Sequence, residues 1–157
     1  MKARDLMTPN PAQVTPTDSL QRVSQLMSEH DCGCIPVVNA DGQRSVLGVV
    51  TDRDIALRGV AKGRPVTTPI GEIMTPNPDC CAPDDDLSHV ERLMADRQIR
   101  RVVVVDDTGE VVGMIAQADL ARAAQRLRGF AHEQPDFPVS RVVAQRDRAA
   151  ILGANAA

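Results

Sequence analysis

Thr51 and Asp54 stand three residues apart at the end of an apolar run, in the stretch Gly48-Val49-Val50-Thr51-Asp52-Arg53-Asp54. A strand that ends here and feeds a helix leaves free backbone N–H groups at the helix start, where Thr51 adds a hydroxyl donor suited to phosphate. Asp54 adds a carboxylate able to accept from both hydroxyls of a ribose. The same spacing also describes a capping box, in which the two residues satisfy only each other. A related stretch holds Ala116 and Asp119, so there the carboxylate remains and the hydroxyl is gone. Arg100 and Arg101 precede an apolar run at residues 102–105. A cation at that position needs a counter-charge: a phosphate, one of Asp84, Asp85 and Asp86, or solvent.

The cysteines fall as Cys32-Gly33-Cys34 and Cys80-Cys81. In an extended chain the first pair shares one face, where it would chelate a soft metal or respond to oxidants. Free cysteine equally serves as a small buried hydrophobe. His30, His89 and His132 lie far apart, so no zinc site is expected. There is no Gly-x-Ser-x-Gly, no Walker loop and no His-Glu-x-x-His, and three aspartates at a helix start need only the helix dipole to explain them. These residues suit binding, not catalysis.

The elements that must position them follow from a repeat. Met7-Thr8-Pro9-Asn10-Pro11 returns as Met74-Thr75-Pro76-Asn77-Pro78, an offset of 67 that also pairs Asp18 with Asp85, Val23 with Val90, Met27 with Met94 and Gly42 with Gly109. Beyond the next turn the offset becomes 65, pairing Gly48 with Gly113 and Asp54 with Asp119. Within a copy, Leu20, Val23, Leu26 and Met27 predict a helix over 18–31 with Asp18 as its cap. Two apolar runs flanking Asp41-Gly42 predict a hairpin. A short strand at 13–15 precedes the helix, and a second helix runs from Thr51 or Asp52 to Gly59 or Gly63. Thr68 and Pro69 read as N-cap and first residue of a turn leading to Ile73. The order is β-α-β-β-α, twice. One such unit cannot bury both faces alone, so the copies should pack together.

The chain has 157 residues, 43% of them hydrophobic, with no Trp, no Tyr and only Phe130 and Phe137 as aromatics. Stacking of bases on aromatic side chains is thereby excluded before residue 130. The net charge of −3 conceals an acidic stretch over residues 1–120 and a basic one over 121–157, in which Arg122, Arg126, Arg128, Arg141, Arg146 and Arg148 outnumber the acids. The acidic stretch is thus a poor match for nucleic acid. No apolar run is long enough for a membrane span, and the opening residues lack the apolar stretch of a secretion signal. The expected location is cytoplasmic, with reduced thiols.

Each copy resembles a CBS (cystathionine β-synthase) domain, and the pair resembles the small stand-alone tandem CBS proteins of prokaryotes. The resemblance rests on the Met-Thr-Pro opening, on Cys34-Ile35-Pro36-Val37-Val38-Asn39 and Arg101-Val102-Val103-Val104-Val105-Asp106, and on the run from Gly48 to Asp54. Val103 and Ala116 depart from the usual Pro and Thr or Ser. It implies an α+β (α/β-like) fold of two β-α-β-β-α repeats about a pseudo-twofold axis. Repeat one is 1–62, the linker 63–69, repeat two 70–124, and 125–157 a tail, read as a short helix or disordered arm. It further implies homodimerisation and a regulatory role. The implied ligand contains adenosine (AMP, ADP, ATP or S-adenosylmethionine), with Thr51 at its phosphate and Asp54 at its ribose. Its adenine would lie in an aliphatic slot formed by Val14, Thr15, Pro16, Cys34, Ile35, Pro36 and Val37. Asp119 marks a second, weaker cleft, and Arg101 is a phosphate candidate. The regulated partner would be a protein. The alternative is a ligand-free interaction or stress-response protein with redox-responsive cysteines.

Overall fold

The structure, a computed structural model, describes residues 1–42 and 44–130; the expected arm beyond residue 130 lies outside them. The first helix, α1 (Leu20–Glu29), buries Leu20, Val23, Leu26 and Met27 on one face. It starts two residues later than the periodicity suggests. Ser19 is the N-cap, its hydroxyl accepting from the Arg22 N–H at 3.1 Å. Asp18 instead accepts from the N–H and hydroxyl of Thr15, at 2.7 and 2.9 Å, closing the turn before the helix.

The predicted hairpin is formed by β2 (Cys34–Val38) and β3 (Val46–Thr51), and Gly42 in its turn has φ +90°, a conformation that favours glycine. The second helix changes pitch as it proceeds. Its first turn, α2 (Asp52–Asp54), runs into a π-helical stretch Ile55–Gly59 and a 3-10 turn Val60–Lys62, ended by Gly63 in the left-handed region. In the linker Pro69, not Thr68, holds the N-cap place of the turn Ile70–Glu72. Thr68 is buried and donates its hydroxyl to the Pro65 carbonyl at 2.7 Å. The second copy supplies β5 (Cys80–Cys81), α3 (Leu87–Arg97), β6 (Arg101–Val105), β7 (Val111–Ala116) and α4 (Gln117–Phe130). Helix α4 thus runs past the expected repeat end at residue 124.

The two short strands made by the repeated openings, β1 (Thr8–Pro9) and β4 (Thr75–Pro76), cross over. Strand β1 pairs antiparallel with β7 of the second copy, and β4 with β3 of the first. The sheets are therefore β1-β7-β6-β5 and β2-β3-β4, and the expected strand near Val14 is a single parallel bridge to Val37. The cores cross over with the strands. Ala3, Leu6 and Met7 pack with Val90, Val102, Val104 and Ile115, whereas Ile70, Ile73 and Met74 pack with Val23, Ile35, Val37 and Val50. A third cluster, including Val38, Val103 and Val111, joins the copies. Fully burying one such side chain is worth about 1.5–3 kcal/mol, so the exchanged segments hold the copies together by core packing.

Candidate functional site

Alternation along β2 sorts the candidate residues. Ile35 and Val37 point into the first core together with Val14, while Val38 packs between the copies. By strand alternation Cys34 and Pro36 share the inter-copy face. Any contribution of Val14 or Ile35 to a slot would have to come from the backbone. The N–H and carbonyl of Val14 are already used, bonded to Pro36 O at 3.1 Å and Val38 N at 2.8 Å. Thr15 lies half-buried beside Asp18.

Register places Cys34 opposite Thr51, and Arg101 opposite Ala116, so the two copies set equivalent positions side by side. Thr51 and Asp54 form the full capping box. The Thr51 N–H and hydroxyl donate to Asp54 Oδ2 at 3.0 and 2.8 Å, and the Asp54 N–H donates to the Thr51 hydroxyl at 3.1 Å. In the second copy half of this box survives, the Ala116 N–H donating to Asp119 Oδ2 at 2.8 Å. Asp119 also pairs with Arg122.

Arg101 reaches across the copies. A Cβ built on Gly33 would lie 2.6 Å from Asp52 Oδ2 and 3.0 Å from Arg101 Nη2, so the bare glycine leaves room for both charged groups beside Cys34. Asp84 and Asp86 pair instead with Arg4 and Lys2, and Asp85 accepts from the Ala82 N–H. Among the described residues the Arg101 side chain makes no hydrogen bond or ion pair. Burial pushes the Cys34 thiol up to about 12, with Arg101 pulling the other way and Asp54 and Asp52 adding to the rise. Burial likewise raises Cys81 to about 12 and lifts Cys80. Such thiols stay protonated at neutral pH, which works against free-thiolate reactivity there. Among the described residues no cluster of three or more His, Cys, Asp or Glu is placed to hold a metal ion.

Two residues near the site carry no motif of their own. Gln13 donates from Nε2 to the Val111 carbonyl at 3.3 Å, while its Oε1 is buried without a partner among the described residues. Arg58 holds Asp54, its Nε 3.6 Å from Oδ1. Its spacing of four from Asp54 was the signal available. A cavity of about 270 Å³ lies elsewhere, between Met1, Leu87, Glu91, Leu120, Ala123 and Ala124, and does not include the candidate residues. No helix among the described residues is long and apolar enough to cross a membrane.

The CBS domain family matches residues 3–59 and 70–126. This chain belongs to the CBS-domain family. Its two CBS domains are 42% identical over 118 residues to the CBS domain-containing protein YhcV of Bacillus subtilis, covering 75% of this chain and 81% of that one. A CBS domain protein from Pyrobaculum aerophilum, PAE2072, solved complexed with AMP, matches with a TM-score of 0.74 at 26% identity, covering 83% of this chain and 100% of that one. The CBS domain pair of protein MJ0100, solved with 5-methylthioadenosine and S-adenosyl-L-methionine, matches with a TM-score of 0.73 at 27% identity, over 80% and 97% of the two chains. The fold is accordingly an α+β tandem CBS pair.

Proposed function

We propose that this tandem CBS protein is a cytoplasmic, non-catalytic regulatory module that binds an adenine nucleotide in the cleft of its first repeat. Residues 1–62 and 70–124, joined by 63–69, would act as one unit. Asp54 takes the ribose, Thr51 and Arg101 the phosphate, and Thr15, Cys34 and Pro36 flank the base. The observation that carries the reading is Arg101, a guanidinium that makes no hydrogen bond or ion pair among the described residues and lies at the other copy's Cys34–Thr51 pair. An anionic ligand would supply its missing partner. Similarity to CBS pairs solved with AMP and with S-adenosyl-L-methionine supports the ligand class. The second cleft, with Ala116 and Asp119, lacks the hydroxyl and would bind more weakly.

Occupancy would be relayed by population shift to a homodimer contact or a protein partner, limited by the ligand's differential affinity for the two arrangements. Leu57 and Val60, 49% and 68% exposed one turn apart, are among the exposed apolar side chains that a second copy would cover, which sedimentation of the wild type against Val60→Glu tests. For the ligand, thermal unfolding with AMP, ADP, ATP, NADH and S-adenosylmethionine in turn should show stabilisation of about 2.7 kcal/mol at a hundredfold excess over Kd. Inertness of all five at millimolar concentration, or an Asp54→Ala variant as responsive as the wild type, would defeat the reading.

A further inference from the structure

Arg58 reaches both Asp54 and the segment that crosses from the second repeat. Its Nε lies 3.6 Å from Asp54 Oδ1. Its Nη1 donates to the carbonyls of Ile73 and Met74 at 3.0 and 3.2 Å and to the Thr75 hydroxyl at 3.3 Å. One guanidinium therefore joins the candidate ribose carboxylate to the segment that crosses from the second repeat into the sheet of the first. The two oxygens of Asp54 are divided: Oδ2 is taken up by Thr51, and Oδ1 faces Arg58. Any sugar hydroxyl that donates to Oδ1 must share it with Arg58. The second repeat has no such link, because Arg122 sits three residues after Asp119 on a regular helix and its described bond is to Asp119 alone. In the first repeat the wider π-helical turn over Ile55–Gly59 carries Arg58 at i+4.

We infer that Arg58 is a positioning residue, which orients Asp54 and makes occupancy of the first cleft felt at residues 73–76. The inference rests on the nucleotide-binding reading above. When a ribose engages Oδ1, Arg58 shifts toward its acceptors on Ile73, Met74 and Thr75, and the pairing of β4 with β3 tightens. The change is thus delivered to one crossing strand and not to β1, its counterpart.

Hydrogen exchange on the full chain, with and without saturating AMP, tests this. In the wild type AMP should slow exchange both at 51–54 and, several-fold, at 73–76. Arg58→Met should bind AMP more weakly and, once saturated, still protect 51–54, but lose the response at 73–76. Arg122→Met should keep both responses. Arg58→Lys keeps the charge beside Asp54 without the fork that spans both partners, so it should resemble Arg58→Met. A folded Arg58→Met or Arg58→Gln that retains the AMP response at 73–76 overturns the inference, as does full rescue by lysine. A wild type that binds no AMP removes the nucleotide reading itself, and is recognised by the absence of protection at 51–54.

Discussion

Met7 occupies the space where Gly113 would carry a Cβ: that atom would meet the sulfur of Met7 head on and lie 2.8 Å from its Cγ. The reciprocal pair is Met74 over Gly48, where a Cβ would lie 2.8 Å from both the Met74 sulfur and the Thr75 carbonyl oxygen. The methionine that opens each repeat thus locks onto the glycine in the third strand of the other. This explains why Met-Thr-Pro and the strand glycine recur together. Each crossing segment then leaves its strand through Asn10 or Asn77, with φ of 46° and 50°, residues that tolerate the left-handed region better than most.

Substituting these glycines should weaken the pair unequally. Gly113→Ala meets a flexible side chain and should cost about 1–2 kcal/mol, whereas Gly48→Ala also meets backbone and should cost about 2–3 kcal/mol. Urea unfolding measures both. A double-mutant cycle should show Met7→Ala relieving much of the Gly113→Ala penalty, with Met74→Ala relieving less of the Gly48→Ala penalty.

The half-built capping box of the second repeat can be completed. Ala116→Thr should stabilise the protein by about 0.5–1 kcal/mol, and Thr51→Ala should destabilise it by about 1 kcal/mol. Denaturant midpoints at constant slope report both, and equal and negligible effects would show that neither box matters to the fold.

Among the described residues Arg101 has no hydrogen bond or ion pair to lose, so Arg101→Met should change stability by less than about 0.5 kcal/mol. Calorimetry should nevertheless show weaker AMP binding with adenosine affinity unchanged. Equal losses for the two ligands would place Arg101 away from the phosphate.

Cys34 ionises at 9.0 in an unfolded chain but at about 12 in the native one, because burial disfavours its thiolate. Its contribution to stability is therefore complete below pH 9.0 and is lost as the pH climbs toward 12. The stability difference between wild type and Cys34→Ala should shrink over that window. Iodoacetamide at neutral pH should leave Cys34 and Cys81 unmodified in the native protein, as their burial and raised ionisation require. Rapid alkylation of Cys34 would favour the redox-responsive alternative.

The repeat by itself determined the helix-hairpin-helix order, the hairpin around Gly42, the buried face of α1 and the Thr51–Asp54 box, because each depends on residues close in the chain. Even so, the cap moved from Asp18 to Ser19. Both residues are good caps, and the choice fell to the turn that Asp18 closes with Thr15. Tertiary structure alone decided which sheet each Met-Thr-Pro segment joins. The two copies carry the same segment and the same receiving glycine, so self-pairing and exchange offer nearly identical local contacts. They differ only in the path of the connecting chain. The same holds for Arg101, whose position beside Gly33 exists only once the copies face each other, and for Arg58, whose acceptors lie 15 to 17 residues away on the crossing strand. Local sequence encodes the capping box of the candidate site, but the charges beside it are brought in by packing between the copies.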